Sequence, residues 1–147
     1  MNTYNEVSTF RLYLMRALYL LNLALGLIVW PIILRGEAMS DPTRAVGWSF
    51  WAALFTLSGL GLRYPLKMLP VLLMQLFYKS VWLTAVALPL WRAGQPAADM
   101  TDGMVLGVVL DLIAIPWPYV LRNFVKERGD RWRSKPRIEA TSAQAWN

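Results

Sequence analysis

Long apolar runs separated by short polar breaks dominate the chain. Four of them approach the roughly 20 residues that carry a helix across a hydrocarbon core: residues 12–34, 43–62, 69–90 and 103–120. The breaks carry helix-start chemistry. Asp41-Pro42 sets a capping carboxylate before a proline suited to the first helical position, and Pro70 initiates the third run in the same way. Thr101 and Asp102 offer capping side chains to the fourth run, while Gly59 and Gly61 close the second. The pattern predicts an all-α integral membrane protein. Residues 1–122 form a four-helix transmembrane bundle with short loops, and residues 123–147 form a basic, largely disordered tail.

The first run follows Arg11 and Arg16 near the N-terminus, as the apolar core of a secretion signal would. Its length argues for a retained helix, as does its end at Trp30-Pro31-Ile32-Ile33-Leu34-Arg35, which lacks the small residues of a cleavage site.

Composition sharpens this picture mainly by exclusion. The 147 residues are 56% hydrophobic and include eight Trp, which fits a single membrane domain. Cys and His are both absent, which removes the commonest ligands of zinc, haem and iron–sulfur centres and all thiol chemistry. No metal or cofactor is expected. The net charge of +6 is informative through its placement. Arg11, Arg16, Arg63, Lys67 and the tail fall on one side of the four runs, against Arg35, Arg44 and Arg92 on the other. The positive-inside rule then puts both termini in the cytoplasm. Trp30, Trp48, Trp51 and Trp91 fall near the outer interface in this topology, and Tyr13, Tyr64, Trp117 and Tyr119 near the inner one. The small size and short loops suggest a bacterial inner membrane. In the tail, Lys126, Arg128, Arg131, Arg133, Lys135 and Arg137 would attract anionic lipid headgroups by about 1 kcal/mol per basic residue. No recognition fold accompanies this charge, so nucleic acid is not an expected partner.

Two ionisable residues interrupt the apolar runs. Lys79 lies ten residues beyond Leu69, and Asp111 eight beyond Gly103; at about 1.5 Å per residue both come near mid-depth. A charge there is costly unless paired. The third and fourth runs are consecutive and antiparallel, so Lys79 and Asp111 are a candidate intramembrane ion pair or proton site. Gly103, Gly107, Asp111 and Ala114 share a helical stripe, which predicts a helix-packing face of small residues around the carboxylate. Tyr19, Asn22, Thr56 and Gln75 are candidates for a polar bundle interior. Pro116 and Pro118 cannot donate to the carbonyls of Leu112 and Ala114, which leaves two oxygens free beside Asp111 for a cation or simply kinks the helix. Arg16, one turn inside the first run, is expected to snorkel to headgroups.

These features favour a noncatalytic subunit or accessory factor of a larger membrane complex, or a homo-oligomer. Ser58, Ser80 and Thr84 have no histidine to activate them, so enzymatic chemistry is not expected. The competing expectation is a small proton- or ion-coupled transporter using Lys79 and Asp111, although no internal repeat accompanies it.

Overall fold

A computed structural model describes residues 7–95 and 100–126. Helix α1 (Thr9–Leu34) starts where the Ser8 hydroxyl accepts the Arg11 amide at 3.3 Å. It runs to Arg35, after which Gly36 turns the chain with φ 77°. A single 3-10 turn (Glu37–Ser40) leads to α2 (Pro42–Arg63). Asp41 caps α2, accepting the Arg44 amide at 3.0 Å, and Pro42 occupies the first turn. The glycines do not end this helix, contrary to expectation. It continues through Gly59 and Gly61 to Arg63 and stops at Tyr64, where the following Pro65 disfavours helical backbone.

Helix α3 (Leu69–Trp82), with Pro70 in its first turn, passes through a π-helical segment (Leu83–Ala87) into α4 (Leu88–Arg92). The widened turn lies where Pro89 cannot donate to Ala85, and the Leu88 amide bonds back to Leu83. Together these pieces make one helix of 24 residues.

The fourth apolar run is not one continuous helix. Helix α5 (Thr101–Ala114) breaks at Ile115-Pro116, and α6 (Trp117–Val120) continues as a π-helical segment (Leu121–Lys126) at 72° to it. Pro116 and Pro118 have no backbone N–H, so neither can bond back to Leu112 or Ala114 to continue the helix. At 14 residues, α5 is about 21 Å long, short of a hydrocarbon core of about 30 Å. Thr101 and Asp102 lie inside its first turn, and the N-cap position belongs to Met100, whose side chain makes no capping bond.

Among the described residues the chain is all helical. Three helices are long and apolar enough to cross a membrane, and the bent pair of α5 and α6 makes a fourth if counted as one span. Helix α1 packs against α2 in antiparallel fashion, with Arg16 beside Leu62, Asn22 beside Ser58 and Trp30 beside Thr56. Helix α3 packs mainly against α5. One apolar core gathers Met15, Leu18, Leu69, Leu72 and Ile115 where α1 and α3 begin and α5 ends. A second, around Val29, Ala52, Leu54, Phe55 and Val71, joins α1, α2 and α3. Helical structure reaches Lys126; the tail positions Arg128, Arg131, Arg133, Lys135 and Arg137 lie outside the described residues.

Candidate functional site

The buried polar residues form two connected groups along the bundle axis. In the first, the Asn22 amide of α1 donates to Gln75 Oε1 of α3 at 2.6 Å, and Gln75 Nε2 donates back to Asn22 Oδ1 at 3.1 Å. Asn22 Nδ2 also donates to Ser58 Oγ of α2 at 3.4 Å, and the Ser58 hydroxyl donates in turn to the Leu54 carbonyl at 2.9 Å. Three helices thus meet at one reciprocal amide pair and one hydroxyl. All three side chains are buried, where an unpaired amide would cost about 1–3 kcal/mol.

Lys79 and Asp111 form the second group. Lys79 Nζ of α3 donates to Asp111 Oδ2 of α5 at 3.2 Å, and Asp111 is fully buried. No described protein group hydrogen-bonds Asp111 Oδ1. Gly107, one turn before Asp111, is what lets the lysine in: a Cβ there would fall on Lys79 Nζ. Ala114 is buried on the same side. Gly103 differs from the expected packing face, since nothing lies within 4 Å of where its Cβ would be.

Tyr19 is fully buried, and its hydroxyl donates to the Pro65 carbonyl at 3.0 Å. Its ring covers Gly61 so closely that an added Cβ would overlap it. That close approach, and not a helix end, is the reason for a glycine here.

Thr56 corrects the expected polar interior. Its hydroxyl faces outward, donating to Ala52 at 2.7 Å and accepting the Trp30 indole N–H at 3.0 Å. Ser58 takes the interior place. Two residues along a helix are about 200° apart around its axis, so Thr56 and Ser58 cannot both face inward. The stripe Leu54, Phe55, Ser58 and Gly61 is helically spaced and visible in the sequence; the polarity of Thr56 alone points to the wrong side.

The arginines of α1 also do more than reach towards a surface. Arg16 Nε donates to the Leu62 carbonyl in the last turn of α2 at 3.2 Å, a favourable place for a cation. Arg11 Nη1 donates to the Ile115 carbonyl at the α5 break, at 3.1 Å. The expected free carbonyl of Leu112 is taken by the Trp117 indole N–H at 3.0 Å, which weakens the case for a bound cation there.

Helices α1, α2, α3 and α5 enclose a cavity of about 450 Å³, within the range of small-molecule sites. Asn22, Gln75 and Lys79 supply its amide and ammonium groups, Trp48, Trp51 and Tyr78 add ring polar atoms, and the remainder is apolar. Its exposed rim includes Leu21, Leu25 and Ile28 of α1 and Gly103 and Leu106 of α5, so it opens sideways between these two helices. Among the described residues, no group of three or more acidic or metal-ligating side chains could hold a metal ion.

Comparison with known protein families, curated proteins and solved structures gave no match.

Proposed function

We propose that the chain is a small four-span protein of the bacterial inner membrane, with α5 and α6 forming one broken span and both termini in the cytoplasm. It acts without catalysis, as a subunit or accessory factor of a larger membrane assembly. The observation that carries this reading is the use made of the buried polar side chains. Asn22, Gln75 and Ser58 bond across three helices, Tyr19 ties α1 to the turn at Pro65, and Lys79 holds α5 to α3. Interhelical hydrogen bonds of this kind each contribute about 0.6 kcal/mol in a membrane. They build a stable unit with an apolar exterior, on which Leu27 is 77% and Phe77 72% exposed. The placement of charge supports the topology: Arg11, Arg16, Arg63, Lys67, Arg122 and Lys126 lie at one end of the helices, and Arg35, Arg44 and Arg92 at the other. The basic tail fits contact with anionic headgroups on the cytoplasmic face.

Purification from native membranes in a mild detergent tests this directly. A larger partner in fixed stoichiometry is expected, and a particle containing only this chain would overturn the subunit reading.

A second reading, a proton- or ion-coupled transporter, is favoured by Asp111 Oδ1, a buried carboxylate oxygen with no hydrogen-bond partner among the described groups. Under that reading Asp111 binds and releases a proton beside Lys79. Replacing Lys79 by Met and Asp111 by Leu together separates the two. Survival of the cellular phenotype excludes transport through the pair, while loss of the phenotype from a folded, assembled variant excludes a purely structural role.

A further inference from the structure

The hydrogen-bond accounts at the polar end of the 450 Å³ cavity do not close. Asn22 uses both amide protons, on Gln75 and Ser58, but Gln75 gives only one, to Asn22. Lys79 gives one of its three, to Asp111, although its side chain is only 9% exposed. Both Gln75 and Lys79 line the cavity. Among the side chains that line the cavity the surplus is thus of donors, three N–H bonds in all, and buried donors are normally satisfied; the unpartnered acceptor Asp111 Oδ1 lies behind Lys79, outside that lining. An oxygen acceptor inside the cavity would satisfy them.

Charge and access narrow the occupant further. Asp111 already neutralises Lys79 at 3.2 Å, so an ionic headgroup would add an uncompensated charge. The opening between α1 and α5 is bordered by leucine and isoleucine. On the membrane-spanning reading above, this rim faces lipid. Trp48, Trp51, Phe55 and Tyr78 supply an aromatic wall.

We propose that this cavity binds an uncharged, carbonyl-bearing molecule with a hydrocarbon tail, which enters from the lipid phase between α1 and α5 and directs its carbonyl oxygen at Lys79 and Gln75. Two sources share this chemistry, a planar ring carbonyl such as a quinone and an ester carbonyl such as an acylglycerol.

The test uses the full chain in phosphatidylcholine nanodiscs, with its own tryptophan fluorescence as readout. Four probes are titrated: a decyl-substituted benzoquinone, a monoacylglycerol brominated on its tail, bromododecane and brominated dodecanoate. Saturable quenching by at least one carbonyl probe is expected, at least tenfold tighter than by bromododecane or the carboxylate. Which carbonyl probe quenches identifies the source. Gly103→Leu, at a position with open space around it, should block the mouth and abolish saturation while helix content is unchanged. Lys79→Met combined with Asp111→Leu should weaken binding at least tenfold. The proposal is overturned if no carbonyl probe saturates, if bromododecane or the carboxylate binds as tightly, or if Gly103→Leu binds normally. Extraction of cell membranes with alkaline carbonate keeps the membrane reading separate. Release of the protein would sink that reading, whereas a retained protein without saturable quenching sinks only the ligand.

Discussion

Separating Lys79 from Asp111 should cost far more than removing both. At 3.2 Å, the attraction between unit charges is about 5 kcal/mol at an effective dielectric of 20. Desolvation offsets much of it, so the pair is nearly neutral against well-packed apolar residues, but loss of one member leaves a buried charge and costs about 3–5 kcal/mol. The two single losses should differ. Lys79→Met strands a carboxylate that is completely buried and already has one unpartnered oxygen. Asp111→Leu strands an ammonium that borders the cavity and can extend towards it. Lys79→Met therefore belongs at the upper end of the range and Asp111→Leu at the lower, while the double variant stays within about 1 kcal/mol of the parent. Unfolding in mixed micelles by increasing dodecyl sulfate, followed by circular dichroism, measures all three. The double-mutant cycle should give a coupling energy of about 3 kcal/mol or more. If the single effects simply add in the double variant, the pair does not act as a buried unit and the reasoning fails.

Other consequences follow from the same packing. Gly61→Ala should destabilise by about 1–3 kcal/mol because the new methyl meets the Tyr19 ring; Gly103→Ala, with open space around it, should stabilise by about 0.5–1 kcal/mol, both read by the same unfolding assay. Tyr19→Phe removes the bond to Pro65 and should cost about 1 kcal/mol. Pro116→Ala should reduce the 72° bend, lengthening the distance between spin labels at Val105 and Phe124 in pulsed electron resonance; an unchanged distance would show that Pro116 does not set the bend. Because the chain has no native cysteine, Lys67→Cys and Gln95→Cys report topology directly. A membrane-impermeant maleimide applied to intact cells should label Gln95→Cys and not Lys67→Cys, and the reverse pattern would invert the orientation.

The long helices were legible in the sequence because their signals are local. Asp41-Pro42 and Pro70 mark helix starts through backbone chemistry that needs no tertiary context, and apolar length sets the extents of α1, α2 and the α3–α4 helix. The pairing of Lys79 with Asp111 was legible for a related reason: two costly charges on consecutive helices constrain each other. Helix facing was harder to read. In α2 almost every residue is apolar or small, so the contrast between a lipid-facing and an inward side is weak, and the choice between Thr56 and Ser58 rests on what α1 presents. The roles of Gly61 and Gly107 were equally hidden, because each depends on a bulky side chain from another helix. The break at Ile115 was half visible: the prolines forecast a kink, but the partners that fix it, Arg11 and Trp117, come from a distant helix and from the far side of the break.

Those partners change what the ion pair means. Asp111 lies in the last turn of α5, where its own carbonyl accepts the Ile115 amide and where the helix dipole already favours positive charge. A carboxylate at that point adds negative charge to a negative helix end. The surrounding chain supplies donors to three acceptors there: Lys79 from α3 meets Asp111 Oδ2, Arg11 from α1 meets the Ile115 carbonyl, and the Trp117 indole meets that of Leu112. Two of these donors come from different helices, so they fix a short helix laterally at its C-terminal end, the end where it has no following turn to continue its hydrogen bonds. Gly103, near the opposite end of α5, has open space beside it. The helix is thus anchored at the ion pair and spaced away from α1 towards its start, and the sideways opening of the cavity follows from that asymmetry. On this account Lys79 and Asp111 need not exchange a proton to matter; as a matched pair they help to hold α5 beside the cavity.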